Sequence, residues 1–331
     1  RCQAQLKRAL VDEQGLARGG CWRLPFCGAW QPFFAFIFPR GRVQEWRMFS
    51  PPPDPAANPR KHPTPLSAVK ALAKTGLHRA GLEPLLFRYH EWRMARRPEV
   101  APVPPTDDAG LPLPSAYLMT LVAGEPDWRR FLEGGRDQAR TIADLVTRHG
   151  GAFHEAERLL DLGCGCGRII RHMPGHSKAA LYGVDYNPRL VRWCARNLPG
   201  TFAQNQVTPP LDFPDAHFDA VWLLSVFTHL RLDTQNQWLA ELARVVRPGG
   251  TVVVTFHDET HPGLDLVGLT GEALLEKQFH IHNDRAEGSN FISTFQTRDF
   301  MRAQCQEHFT VCEIVPSRET PLIQAAAVLR R

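Results

Sequence analysis

The sequence predicts an α/β fold, a doubly wound parallel sheet with helices on both faces, and three observations predict it. The run Arg158-Leu159-Leu160-Asp161-Leu162-Gly163-Cys164-Gly165-Cys166-Gly167 is an apolar strand that ends on an acid and enters a loop with glycine at alternate positions. A second unit of the same kind follows, in which Leu181-Tyr182-Gly183-Val184 closes on Asp185. From residue 158 onward strand-like and helix-like segments alternate, and Phe218 to Leu224 is continuous and apolar enough for a strand buried on both faces.

The glycine loop carries most of the functional information. Only glycine takes unusual backbone angles freely and lets a ligand approach without a Cβ in the way, so three glycines after a strand point to a nucleotide-sized group lying on the loop. Asp185 stands 22 residues past Gly163, near the roughly 20-residue spacing at which a carboxylate reaches a ribose hydroxyl. Two nucleotide classes compete. The dinucleotide pattern is G-x-G-x-x-G, with a helix N-terminus aimed at a pyrophosphate. Here the pattern is G-x-G-x-G, Arg168 stands where that third glycine belongs, and Asp161 sits at the mouth of the site. A carboxylate there repels pyrophosphate and suits S-adenosylmethionine, which carries a sulfonium and an ammonium and no phosphate.

The run Leu160-Asp161-Leu162-Gly163-Cys164-Gly165-Cys166-Gly167 resembles motif I of the class I S-adenosylmethionine-dependent methyltransferases. Ser225-Val226-Phe227-Thr228-His229-Leu230 resembles the motif that follows strand four in small-molecule methyltransferases, and the resemblance covers about residues 113–331. It implies a Rossmann-like sheet of about seven strands closed by a C-terminal antiparallel pair. It also implies S-adenosylmethionine as cofactor, its methionine half held by Asp161, Gly163, Gly165 and Gly167, its ribose by Asp185 and its adenine by Tyr186 or Asn187. Ser225 joins the cofactor-binding set. Many relatives place an acid after strand three to meet the adenine amino group; here Asn205 is the substitute.

The elements are expected in this order. Residues 1–65 form a proline-rich, basic extension with little regular structure, since Pro51-Pro52-Pro53-Asp54-Pro55 and the prolines after it forbid any. Residues 66–150 form a helical cap: two amphipathic helices between Leu66 and Arg97, then a proline-rich connector, then a lead-in to a helix from Asp137 to His149 that ends at Gly150-Gly151. Residues 151–331 form the cofactor-binding domain. Within it the glycine loop opens a helix, Pro188 to Asn197 is a second, and Phe202 to Gln204 is a strand. Thr234 to Val246 is a helix, Arg247 to Gly250 a turn and Thr251 to Phe256 a strand. Arg298 to His308 is the last helix, and Phe309 to Val315 with Leu322 to Leu329 is an antiparallel pair across a short proline-bounded connection.

Composition narrows the partners. The net charge of +5 is uneven: residues 1–105 hold 17 Lys/Arg against 7 Asp/Glu, and the remainder 22 against 27. With no recognisable nucleic-acid module, a solvated basic surface is expected and nucleic acid is not. No apolar segment reaches the ~20 residues of a membrane span, and eight irregularly spaced cysteines make a cytoplasmic rather than a disulfide-stapled chain. No metal site is expected. Cys21 and Cys27 lack a second matched pair, Cys164, Cys166 and Cys194 are small residues where a loop must lie close to a ligand, and Pro262-Gly263 ends any helix that could carry His257 and His261 as ligands.

An acceptor hydroxyl or amine must lose a proton, and histidine titrates in the right range. His229 and His257 follow the fourth and fifth strands, at the sheet edge that faces the cofactor crevice, and are the candidate bases. His280 to Asn283 and Gly288 to Phe291 are candidate acceptor-site segments. The expectation is methyl transfer from S-adenosylmethionine to an oxygen or nitrogen of a small-molecule or glycan-type acceptor. The rival is a methyltransferase-fold protein that binds cofactor or a partner without catalysis.

Overall fold

The computed structural model describes residues 103–150, 153–284, 287–288 and 292–331. The extension expected over 1–65 and the two helices expected between Leu66 and Arg97 lie outside them. Period-two burial sorts the strands. In β1 (Arg158–Leu162) and β4 (Phe218–Leu223), Leu160, Leu162, Val221 and Leu223 enter one core while Leu159, Ala220 and Trp222 enter another. Successive side chains leave a pleated strand on opposite faces, so a strand apolar at every position needs cover on both.

The other strands of the main sheet are β2 (Ala180–Asp185), β3 (Thr201–Gln204), β5 (Val246–Phe256), β8 (Thr310–Val315) and β9 (Ala325–Arg330). The order is β3-β2-β1-β4-β5-β9-β8, parallel from β3 to β5, with β9 antiparallel to both its neighbours. The expected seven-stranded, doubly wound sheet with a C-terminal antiparallel pair is therefore present. Helix α4 (Leu232–Val245) covers one face with Trp238, Leu239 and Leu242, and α6 (Arg298–Gln306) adds Met301. The other face is covered by Ala139, Ile142 and Val146 of α2 (Trp128–Arg148) and Cys194 of α3 (Pro188–Asn197). The winding reverses between β1 and β4, which opens a crevice beyond their carboxyl ends.

Four local features differ from the expectation. Helix α2 starts at Trp128, nine residues before Asp137, and runs straight through Gly134-Gly135. Glycine in a helix costs about 1 kcal/mol against alanine, but a Cβ at Gly135 would lie 2.1 Å from the Arg168 carbonyl oxygen, so the close approach of α2 to the glycine loop requires it. The helix expected after that loop is a 3-10 turn, Ile170–Gly175, stopped by Pro174 and Gly175. The Arg247–Gly250 turn is absorbed into β5, which pairs irregularly with β4 there and passes Gly249 at φ 75°. Between β5 and α6 an insert carries α5 (Gly271–Lys277) and a separate hairpin of β6 (Phe279–His282) and β7 (Ser293–Gln296). The acceptor-site candidates His280 to His282 lie on β6, and Ser289, Asn290 and Phe291 lie outside the described residues.

The segment ahead of α1 (Ala116–Ala123) is tied down by a buried ion pair. Arg171 Nε and Nη2 donate to Asp107 Oδ2 at 3.1 and 2.9 Å, and Nη2 also donates to the Pro112 carbonyl at 2.8 Å. Met119 of α1 and Phe131 and Leu132 of α2 then pack with Cys166 and Leu190, roofing the glycine loop.

Candidate active site

All three loop glycines stand in the left-handed region, at φ 82°, 57° and 77° for Gly163, Gly165 and Gly167. There is no room to replace the first two. A Cβ on Gly163 would sit 2.5 Å from Val226 Cγ2, and one on Gly165 would sit 2.7 Å from Val122 Cγ2 of α1. The loop is thus held between α1 and the turn after β4. The Gly163 and Cys164 amides donate to the Val184 carbonyl at 2.8 and 3.0 Å, which locks the two βα units together.

Asp185 completes that junction. Its Oδ2 accepts from the Gly165 amide at 2.9 Å and its Oδ1 from the Asn187 amide at 2.8 Å. Each carboxylate oxygen keeps a further acceptor direction. Burial raises the Asp185 pKa, opposed by the two amides. Asp161 is almost fully buried, its Oδ2 has no hydrogen-bond partner, and burial followed by the repulsion of Asp185 pushes its pKa up to about 8.

Both acids line one cavity of about 470 Å³ with Gly163, Gly165, Tyr186, Asn187, Asn205, Ser225 and His229, whereas Gly167, expected with them, is not among the lining residues and packs against Leu198 and Cys194. Tyr186 is exposed at its mouth. The Asn187 side chain caps α3, accepting from the Arg189 amide at 3.1 Å. Asn205 donates through Nδ2 to the Gln206 carbonyl at 2.7 Å, while its Oδ1 is sealed from solvent and unpartnered. Ser225, at φ 59°, is held by two bonds: its amide donates to Thr255 Oγ1 at 2.8 Å and its Oγ accepts from Gln324 Nε2 at 2.7 Å. A non-glycine residue in that region stores strain that its surroundings must sustain.

The two candidate histidines part company. His229 lines the cavity, and its Nδ1 lies 2.9 Å from the Ile292 carbonyl. A carbonyl only accepts, so Nδ1 carries the proton and Nε2 is the basic nitrogen. Burial lowers the pKa of the ring, which is therefore neutral at pH 7. His257 is not among the cavity's lining residues. Its ring stacks on His261 at 4.0 Å and packs against Phe295 at 5.0 Å, and burial, with His261 and His229 nearby, drives its pKa well down. Its Nε2 stands 3.4 Å from Gln324 Nε2, so it reaches the cavity only through Gln324 and Ser225.

Other lining residues were not singled out from the sequence. Tyr117, Leu121 and Val122 come from α1, and Val207, Leu230 and Trp238 form an apolar end beside Gly288. Arg168, noticed in the sequence only as a departure from the dinucleotide pattern, lines the cavity as well.

The residues fit S-adenosylmethionine on two structural counts. The loop glycines Gly163 and Gly165 line one cavity with both acids, and a buried carboxylate oxygen waits at the loop with no partner. Residues 160–254 match the family described as "Methyltransferase domain". These residues form a methyltransferase domain of that family. The domain is similar to an O-methyltransferase of Penicillium expansum, at 26% identity over 186 residues, 52% of this chain and 67% of the relative. A demethylmenaquinone methyltransferase of Tropheryma whipplei is 35% identical over 109 residues, 32% of this chain and 43% of the relative. A fatty-acid O-methyltransferase of Mycolicibacterium smegmatis is 35% identical over 104 residues, 30% of this chain and 37% of the relative. The chain thus spans about two thirds of the first of these and less than half of the other two. Among solved structures, the Burkholderia thailandensis 1,6-didemethyltoxoflavin-N1-methyltransferase is similar at 18% identity and TM-score 0.43, over 68% of this chain and 93% of that one. No helix among the described residues is long and apolar enough to cross a membrane.

Proposed function

We propose that the chain is an S-adenosylmethionine-dependent methyltransferase acting on an oxygen or nitrogen of a small-molecule acceptor. The observation that carries this reading is the shared cavity: an unpartnered Asp161 oxygen at a Cβ-free loop on one side, and a neutral His229 of defined tautomer on the other. When bound, the cofactor supplies a methyl group on a positively charged sulfur, already a strong electrophile. The protein's share is then positioning, exclusion of water and custody of one proton.

In that division Asp185 accepts from the ribose hydroxyls, and the unpartnered Asn205 Oδ1 accepts from the adenine amino group. Asp161 ionises to meet the ammonium. Val226, Leu230 and Trp238 keep water from the reacting centre. His229 Nε2 takes the acceptor's proton as it attacks, and the Ile292 carbonyl holds the ring in the tautomer that leaves Nε2 free to do so. The apolar end formed by Val207, Leu230 and Trp238 supports a largely apolar acceptor over a glycan. The same reading takes the helices before β1 as the visible part of a cap over residues 66–150. It also places the protein in the cytoplasm, which five unpaired cysteines among the described residues support.

Calorimetric titration with S-adenosylhomocysteine, followed by a labelled-methyl screen over small-molecule pools, tests the proposal. Micromolar binding with a labelled product is the expected result. Binding with no labelled product from any pool favours the non-catalytic rival, and absence of binding overturns the reading.

A further inference from the structure

Ser225 stands two residues past the end of β4, on the turn that carries His229, and lines the same cavity. Its φ of 59° costs a serine energy and persists only where the surroundings hold it. What holds it is Gln324, the residue just before β9, together with Thr255 of β5. Thr255 is fully buried; its Oγ1 accepts from the Ser225 amide at 2.8 Å and stands 2.6 Å from Gln324 Oε1. That separation suits an O–H···O bond and is short for an N–H···O one, so Thr255 donates and the Gln324 amide is oriented. Gln324 Nε2 then faces Ser225 Oγ at 2.7 Å and His257 Nε2 at 3.4 Å. An amide nitrogen only donates, so both of those atoms accept. The Ser225 hydroxyl hydrogen is therefore left over. No described residue accepts it, and the cavity is where it can be spent.

We propose that Gln324 is a positioning residue that keeps Ser225 a hydrogen-bond donor to the methyl acceptor, so that the site selects acceptors with a lone-pair oxygen beside the O–H or N–H that is methylated. The inference rests on the proposed methyl transfer. Two residues of one turn then read the acceptor in opposite senses: His229 Nε2 takes a hydrogen from it and Ser225 Oγ gives one to it. A hydroxy ketone on a hydrocarbon frame meets both, with its frame against Val207, Leu230 and Trp238. Ser225, expected among the cofactor residues, thereby moves to the acceptor's side, and the cofactor assignment becomes an outcome of the test. Gln324 itself carries no sequence signal, standing 99 residues from the serine it holds.

The experiment compares two probes at pH 8 on the full chain saturated with S-adenosylhomocysteine: butyroin, an eight-carbon hydroxy ketone, and 4-octanol, the same chain without the carbonyl oxygen. Ligand-observed NMR titration gives both dissociation constants. One hydrogen bond between neutral groups corresponds to roughly two- to tenfold in affinity, and wild type is expected to prefer butyroin by that factor. Ser225→Gly removes the hydroxyl in a residue that takes φ 59° freely. Gln324→Glu puts an acceptor where the donor stood, which draws the Ser225 hydrogen away from the cavity. Each variant should bring the two probes to equal affinity with S-adenosylhomocysteine binding unchanged, and the double variant should do no more than either alone. Equal affinities in wild type, or no binding of either probe, overturn the inference without any variant having to fold. A preference that survives Gln324→Glu overturns it too, as does a Ser225→Gly that weakens S-adenosylhomocysteine and keeps the preference, which would return Ser225 to the cofactor. A wild type that does not bind S-adenosylhomocysteine overturns the methyltransferase reading itself.

Discussion

Lowering the pH should weaken the binding of any ligand that places an ammonium on Asp161. With its pKa near 8, the carboxyl is ionised in about half the molecules at pH 8, about one in ten at pH 7 and about one in a hundred at pH 6. Apparent affinity scales with the ionised fraction, so S-adenosylhomocysteine should bind about fivefold more weakly at pH 7 than at pH 8 and about tenfold more weakly again at pH 6. Calorimetry at fixed ionic strength measures this directly. Repeating the pH 7 titration in buffers of different ionisation enthalpy should show close to one proton released per ligand bound. Methylthioadenosine, which has no ammonium, should bind with little pH dependence, and Asp161→Asn should flatten the profile of the parent ligand. Stability moves in the matching direction. The folded pKa lies above the unfolded value of 3.8, so the folded state holds the proton between those limits and the unfolded state does not. This group's contribution is present below pH 4 and lost as pH rises towards 8, so the melting temperature of ligand-free wild type, relative to Asp161→Asn, should fall across that range. A flat affinity profile with no proton release would refute the reasoning.

The remaining predictions concern single groups. Asp185→Ala should weaken S-adenosylhomocysteine by about ten- to a hundredfold, from roughly 1.5–3 kcal/mol per hydrogen bond to a charged group; it also strips the Gly165 and Asn187 amides of their acceptor, so the melting temperature should drop. His229→Gln should cut turnover on an identified acceptor by ~10²-fold with cofactor affinity unchanged. His257→Gln should leave the acceptor-proton step intact, because that ring does not line the cavity; equal losses in the two variants would refute the assignment. Arg171→Ala strands the buried Asp107 carboxylate and should cost about 3–5 kcal/mol in denaturant unfolding, and an unchanged midpoint would mean the segment before α1 is not anchored there.

The sheet was legible because burial on both faces leaves an unmistakable trace. β1, β2 and β4 read as short, mainly apolar runs, broken within β1 and β4 only by Asp161 and Asp219, and β2 closes on an acid that the fold turns towards the glycine loop. Helix α3 was legible to the residue because Asn187-Pro188 is a cap followed by the one residue suited to a first helical turn. Helix α2 was read short because Gly134-Gly135 looks like a break, and only the distance to Arg168 explains why glycine belongs there. The β6–β7 hairpin was missed because its strands are four residues each, too short for alternation to register. Most named site residues reach one cavity, yet which side chains of α1 line it was not legible, since contact across chain distance leaves no trace in the residues. Asp107 and Arg171, 64 residues apart, are invisible for the same reason.

The insert between β5 and α6 reaches back to the turn that carries His229. Gly288 donates its amide to the His229 carbonyl at 3.0 Å, Glu287 accepts from the Arg231 amide at 2.9 Å, and the Ile292 carbonyl fixes the imidazole. Every residue assigned to the cofactor comes from β1 to the turn after β4, and none comes from this insert. The insert therefore braces the His229 turn and adds Gly288 to the cavity wall, while the other lining residues precede it in the chain. In the proposed reaction, changes in the insert would act on the base through the carbonyl that holds its ring, and would leave the residues assigned to the cofactor in place.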